Sequence, residues 1–371
     1  MKRIACGALV LLAAPAWAQR TVTESSSAYR AARRLTLVES ARWCRDPEAP
    51  GCDYKGISEV VATPDGGVVA ADYRGPMRRF TATGTFTKEL SRKGAGPGEY
   101  RYVTALQLAK DSILEWYDPI LRRVTRASLA TGQAGPVSAM TPPPRLDGAY
   151  LVDGSLVVFE IPTAAKPGDT VDARFRRVSD GTPSRVLATV RHPSRYHTDT
   201  TLPLPPPLFA PNTVADVGWN GDVAHSTARR FEVSVFPSGG APWRVRVAVA
   251  PRPVLPSERD SAIAEELTSS DARNIAELSP VTRDRIANAL TEFPQIETLR
   301  VLRDGTIWMR PTAPRSARTA RWDVFSRSGA RIGFAELPLS AVIKDGTANW
   351  IVATILQAND VPGIVRYTVV R

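Results

Sequence analysis

The chain has 371 residues, 48 of them Lys or Arg against 37 Asp or Glu, so its formal net charge is +11. The arginines are spread along the chain without forming blocks, which argues against a nucleic-acid partner. Beyond the N-terminus, no run reaches the roughly 18 apolar residues of a transmembrane helix, which argues against a membrane anchor. We therefore attribute the excess of basic residues to a solvated surface. The alternative is that these residues contact anionic envelope polymers.

The N-terminus has the three parts of a secretory signal peptide. Lys2 and Arg3 are followed by an apolar run from Ile4 to Ala14, and Ala16-Trp17-Ala18 forms a small-x-small cleavage site. We therefore predict a signal peptide over residues 1–18, cleavage before Gln19, and export to the periplasm or the extracellular space.

Two cysteines remain after the signal peptide, which carries Cys6, is removed. Cys44 and Cys52 stand in "WCRDPEAPGC", with proline and glycine between them to bend the chain back. An even pair in an oxidising compartment predicts a disulfide that closes a small loop and staples the N-terminal segment, residues 19–56. Two free thiols are the alternative. A metal site is not expected, because the pair lacks further ligands nearby.

Five segments share a hairpin pattern, in which an Asp, usually followed by Gly, precedes a β-rich run, as in "TPDGGVVAAD". The turn aspartates Asp65, Asp111 and Asp153 lie 46 and 42 residues apart, and Asp304 and Asp345 lie 41 apart. These spacings match a four-stranded propeller blade of about 40 to 50 residues. The pattern therefore predicts a repeat of blades.

The repeat predicts an all-β fold, a six-bladed β-propeller over residues 57–371. A propeller must close its ring, and the alternating strand at 33–40 is free to complete the last blade. The expected blades cover residues 57–90, 102–136, 146–190, 212–247, 294–336 and 337–371.

Two stretches interrupt the repeat. The proline-dense segment 201–211 cannot supply ladder donors and is interpreted as an extended connection. Residues 255–293 have helical composition, with Ser257 and Asp260 resembling a capping box and Ser279-Pro280 an N-cap followed by an N1 proline. We predict a short helical insertion between blades 4 and 5.

A glycine-rich loop, "GAGPGEY" (Gly94 to Tyr100), precedes a strand-like run. It lacks the Lys-Ser/Thr pair of a phosphate-binding loop, and Pro97 removes an amide donor. Together with "VVAADYRGPMRRFTATG", in which Asp72, Arg79 and Phe80 fit the pattern, the loop resembles the NHL-repeat type of six-bladed β-propeller. The resemblance implies that the loop turns a corner between blades.

The resemblance also implies candidate ligand sets, because six-bladed propellers include lactonases and lyases beside binding modules. Lactonase-like relatives would hold calcium in the channel through oxygens near the starts of inner strands. The candidates are Glu59, Asn212, Asp216 and Glu297. A lyase-like zinc site would use His192, His197 and His225, but two of these share one connection, so we interpret them as surface histidines.

The function that we expect is an exported binding or interaction module, more a binder than an enzyme, with a protein, small-molecule or glycan ligand at one end of the ring. We expect a monomer with no cofactor. The alternative is a metal-dependent, lactonase-like hydrolase or lyase with calcium in the propeller channel.

Overall fold

The computed structural model describes residues 20–140, 146–162, 169–179, 182–193, 208–211, 213–270, 272–314, 316–357 and 361–371. The predicted signal peptide, His197 and Asn212 lie outside the described residues. Within this part of the chain, no helix is long and apolar enough to cross a membrane.

Six sheets of four or five strands form the blades of a six-bladed β-propeller. The N-terminal segment consists of β1 (Arg20–Glu24), α1 (Ser26–Arg30) and β2 (Thr36–Trp43). Blade 1 holds β3 (Ile57–Ala62), β4 (Val68–Asp72), β5 (Met77–Phe80) and β6 (Phe86–Ser91). Blade 2 holds β7 (Ala105–Ala109), β8 (Ile113–Asp118), β9 (Arg123–Ser128) and β10 (Ala134–Ala139). Blade 3 holds β11 (Leu146–Val152), β12 (Ser155–Glu160), β13 (Thr170–Ser179) and β14 (Thr182–Pro193).

The remaining blades follow the same order, with the first strand innermost. Blade 4 holds β15 (Val214–Val217), β16 (Val223–Ser226), β17 (Glu232–Phe236) and β18 (Trp243–Val247). Blade 5 holds β19 (Ile296–Val301), β20 (Ile307–Pro311), β21 (Thr319–Phe325) and β22 (Arg331–Pro338). Blade 6 holds β23 (Val342–Thr347), β24 (Trp350–Leu356) and β25 (Pro362–Val370).

The N-terminal segment runs along the outer edges of three blades. β2 pairs antiparallel with β25 and supplies the outermost strand of blade 6. β1 pairs parallel with β18 and adds a fifth strand to blade 4. Directly after β2, Cys44 and Cys52 form a disulfide. The ring is therefore closed by pairing β2, from the N-terminal segment, with β25.

The turn prediction is confirmed for four aspartates and wrong for the fifth. Asp65, Asp111, Asp153 and Asp304 lie in turns between the first two strands of their blades. Asp345 lies inside β23, and the chain reverses after Thr347, which pairs with Trp350. The strand continues past Asp345, and its buried carboxylate binds Ala62 of blade 1 and Arg303 of blade 5.

The helical insertion lies between β18 and β19, as predicted. It comprises α2 (Pro256–Ser269), a 3-10 turn (Ile275–Glu277) and α3 (Pro280–Ala287). The expected capping box at Ser257 and Asp260 is wrong, because the helix begins two residues earlier. The N-cap of α2 is Leu255, whose N–H donates to the Glu258 carboxylate (3.1 Å). Ser279 caps α3 as expected.

The glycine loop between β6 and β7 is bound by its own neighbours. The Glu99 carboxylate accepts from the Gly96 amide (2.8 Å), and Arg123 of blade 2 donates to the Gly96 and Glu99 carbonyl oxygens. Gly98 has a φ of 76°, where a side chain would be strained. These contacts are consistent with a corner between blades. The Gly96 amide is already hydrogen-bonded within the loop.

Candidate functional site

The six inner strands surround an axial channel. Two cavities, of about 110 Å³ and about 330 Å³, follow one another along it. Both are lined by Glu59, Tyr150, Arg300 and Lys344, which come from four different blades. The wider cavity lies toward the end where the inner strands begin, so we call it the channel mouth.

Asp216 and Arg300 face each other across blades 4 and 5. Asp216 Oδ2 accepts from the Val301 amide (2.7 Å), and Arg300 Nη1 lies 3.7 Å from Asp216 Oδ1. Burial raises the pKa of Asp216 above its usual range, against the opposing charge of Arg300. Burial acts to lower the pKa of Arg300, but the carboxylates of Asp216 and Glu59 hold it above its usual range.

The two directions differ because the two groups have different surroundings. Asp216 is 6% exposed and meets one guanidinium, so burial dominates its pKa. Arg300 meets several carboxylates, and its Nε also donates to the Ile343 carbonyl oxygen (2.7 Å). The charged form of Arg300 is therefore well stabilised in the channel.

Glu59 and Lys344 form the second pair, between blades 1 and 6. Lys344 Nζ donates to the Ser58 carbonyl oxygen (2.5 Å) and lies 3.4 Å from Glu59 Oε1. An ammonium carries three N–H donors, so these two contacts leave one for a further acceptor. The predicted residue Glu59 is therefore at the axis, but its partner is a cation.

A third pair closes the narrow end of the channel. Arg303 Nε donates to Asp345 Oδ1 (2.7 Å), and its Nη2 donates to the Ala62 carbonyl oxygen (2.7 Å). Asp345 Oδ2 accepts from the Ala62 amide (2.8 Å), and the guanidinium lies 4.0 Å from the ring centroid of Trp219. This pair ties blades 5, 6 and 1 together.

The four predicted calcium ligands meet different surroundings. Glu59 and Asp216 reach the axis, whereas Glu297 lies at the channel mouth, where its carboxylate accepts from Arg310 (3.0 Å). Asn212 lies outside the described residues. No three His, Cys, Asp or Glu side chains of the described ranges come together as a metal site would require. The described carboxylates each face a cation, so they do not fit calcium, which asks for six to eight oxygens.

The interpretation of the histidines as surface residues is wrong for both that the structure describes. His192 and His225 are buried, with ring centroids 6.0 Å apart, and both rings contact Phe159. Burial, and then the neighbouring His192, lower the pKa of His225 to about 3. Their aromatic neighbours, rather than solvent, stabilise the neutral rings.

Comparison with known proteins finds likeness in fold. No protein family and no curated protein sequence matches the chain. Among solved structures, a putative exported protein from Bacteroides fragilis is 10% identical, covers 95% of this chain and 99% of its own, with a TM-score of 0.48. Virginiamycin B lyase from Staphylococcus aureus is 9% identical, with 90% and 98% covered and a TM-score of 0.37. Hsv2 from Kluyveromyces lactis is 9% identical, with 81% and 72% covered and a TM-score of 0.37. At these identities the likeness does not extend to function.

Sequence reasoning missed the cations of the channel, Arg300, Arg303 and Lys344. A signal for them exists in the sequence, because Arg300 and Lys344 each follow apolar residues within the inner strands, in "TLRVL" and "AVIKD". A charge inside a buried strand asks for a partner of opposite sign. That rule would have predicted basic residues at the axis beside the chosen carboxylates.

Proposed function

We propose that the chain is an exported, monomeric propeller of the NHL type that binds a small molecule at the channel mouth. The observation that carries this proposal is the composition of the wider cavity. Its volume, about 330 Å³, lies at the lower end of the range for small-ligand sites. Apolar walls from Val214, Leu299 and Val342 stand beside Arg300 and Lys344. Small-ligand sites set apolar walls against a few convergent polar groups, and this cavity has walls of both kinds.

The ligand that fits has an apolar body and an acceptor oxygen. Lys344 has an N–H beyond those given to Ser58 and Glu59, and it faces the cavity that Tyr150 also lines. A carbonyl or carboxylate oxygen of a ligand would accept that donor. The paired carboxylates support binding better than metal chemistry, because each is neutralised inside the protein.

A melting screen tests the proposal on the chain that begins at Gln19. The probes are amino acids, hexoses and short hydroxy acids, with calcium chloride and EDTA as separate arms. A ligand at a hundredfold excess over its dissociation constant stabilises the fold by about 2.7 kcal/mol. Lys344→Met should abolish that shift, whereas Arg74→Gln, which lies outside the channel and outside the other cavities, should keep it.

The calcium arm decides the alternative function. Stabilisation by calcium that EDTA reverses, and that Glu59→Gln abolishes, would replace the binding proposal with the metal-dependent hydrolase or lyase. Stabilisation by none of the probes would contradict a small-molecule site at the channel mouth. Export is tested separately, by N-terminal sequencing of secreted protein, which should begin at Gln19.

A further inference from the structure

A third cavity, of about 450 Å³, lies outside the channel, between blades 3 and 4. It is lined by β14 of blade 3 and by the face of blade 4 that points toward it. Its charged side chains, which define what we call the basic cleft, are Arg191, Arg229, Arg230, Glu232, Arg244 and Arg246.

The cleft follows from strict alternation in two strands. In β17 the side chains of Glu232 and Ser234 point to the cleft, and in β18 those of Arg244 and Arg246 do so, while the valines between them are buried. The buried valines belong to the apolar core shared with blade 5. The two outer strands of blade 4 therefore present an apolar face to blade 5 and a polar face toward blade 3, whereas Val217 and Val223 of its inner strands pack against the apolar core of blade 3.

The arginines of the cleft outnumber its carboxylates. Arg244 and Arg246 share Glu232, at 3.2 Å and 2.6 Å, and Arg191 lies 3.1 Å from Asp172. Arg229 and Arg230 are exposed, and no ion pair joins either of them to another described residue. Among the described residues, Arg229 and Arg230 therefore carry two exposed positive charges of the cleft that no ion pair offsets.

The remaining lining groups narrow the class of ligand. Hydroxyls of Thr189, Ser226, Thr227 and Ser234 stand among the arginines, and the Phe236 ring forms part of the wall. Guanidinium groups bind carboxylate, sulfate and phosphate in a planar, two-bond geometry. Hydroxyls match the hydroxyls of a sugar, and an aromatic ring matches its apolar face. We propose that the basic cleft binds an acidic oligosaccharide.

The site is separate from the channel mouth. Its arginines come from the outer part of blades 3 and 4, whereas the channel is lined by inner strands. His225 lines the cleft and contacts Phe159, which lines the channel mouth, so these two rings stand between the cavities. A variant in one cavity can therefore be tested without altering the charges of the other.

The experiment measures binding of fluorescent oligogalacturonate to the chain that begins at Gln19, with maltohexaose as the neutral probe and oligoglutamate as the acidic peptide. Arg229→Gln with Arg230→Gln removes two exposed charges and no described ion pair. We expect it to weaken oligogalacturonate binding by about tenfold or more, since hydrogen bonds to charged groups contribute about that factor each.

The matched control is Arg74→Gln with Arg101→Gln, which removes two exposed arginines from another part of the ring. Its affinity should stay within about twofold of the unaltered chain, because screening limits the reach of distant charges. Lys344→Met in the channel should also leave the affinity unchanged.

Each other result overturns the proposal. Equal losses in the cleft and control variants would mean diffuse charge attraction, and loss with Lys344→Met alone would place the site in the channel. Equal binding of maltohexaose would remove the need for acidic groups, and tighter binding of oligoglutamate would make the ligand an acidic peptide. No binding of oligogalacturonate at all would also overturn it.

Discussion

The axial channel and the basic cleft both gather charged side chains from neighbouring blades, but they balance them differently. In the channel, Glu59, Asp216 and Asp345 each form an ion pair with a cation of a neighbouring blade. In the cleft, two of the five arginines, Arg229 and Arg230, have no ion pair with another described residue. Buried charges must be paired to be tolerated, so the channel pairs report on how the ring is held together. Exposed charges without an ion pair are not required to hold the ring together, so we interpret those of the cleft as part of a ligand site.

The largest effect should come from breaking a channel pair. Asp345→Ala leaves the Arg303 guanidinium without its partner and the Ala62 amide without its acceptor. We expect a loss of about 3 kcal/mol in the free energy of unfolding, measured by urea titration. A loss below about 1 kcal/mol would show that the channel pair is no more structural than a surface pair.

The disulfide should support the ring without affecting the cleft. Replacing Cys44 and Cys52 by Ser frees a loop with a sequence separation of 8, and we expect a loss of about 2.5 kcal/mol in unfolding free energy. Oligogalacturonate affinity of the folded variant should match that of the unaltered chain. A weaker affinity would mean that closing blade 6 also shapes the cleft.

The pH dependence of the unfolding free energy should reflect His225, whose ring stands between the channel mouth and the basic cleft. The pKa of His225 is lowered from 6.5 to about 3 in the folded chain, so the unfolded chain binds the proton more readily between those values. Its stabilising contribution is complete above pH 6.5 and is lost as the pH falls toward 3, at up to about 1.4 kcal/mol per unit.

His225→Gln tests this expectation, because glutamine does not titrate. Urea midpoints measured at several pH values between neutral and mildly acidic should fall less steeply in the variant than in the unaltered chain. Parallel slopes would mean that His225 does not contribute, and that other titratable groups cause the acid sensitivity.

The smallest effect on stability should come from the exposed pair in the cleft. The side chains of Asp172 and Arg191 are 58% and 70% exposed, so Asp172→Ala should change the unfolding free energy by less than about 1 kcal/mol. The same change removes a competitor for Arg191 and should tighten oligogalacturonate binding. Weaker binding would argue against Arg191 as part of the site.

The blades could be predicted from sequence because hairpin turns are local. Asp65, Asp111, Asp153 and Asp304 identified four of them without knowledge of the fold. The fifth strand of blade 4 could not be predicted, since Arg20–Glu24 pairs with Trp243–Val247, far along the chain, and no local pattern links the two. Parallel pairing between distant segments depends on the finished ring.

The channel was predictable only in part. Glu59 and Asp216 were placed at the axis because the first strand of a blade lies innermost. Their cationic partners depend on register, and four inner strands contain irregularities. These lie between Ile57 and Glu59, Leu146 and Gly148, Ile296 and Thr298, and Ile343 and Asp345. A bulge shifts the alternation of side chains, so period-two reasoning assigns the wrong residues to the axis.

The pairing of β2 with β25 sets an order of events for folding. β2 and β25 lie far apart in the sequence, yet blade 6 needs both. The ring therefore stays open until both strands have been synthesised, and an open ring keeps its terminal blade edges unpaired. Blade 6, and with it the ring, is completed only by a contact between two segments that are distant in the sequence.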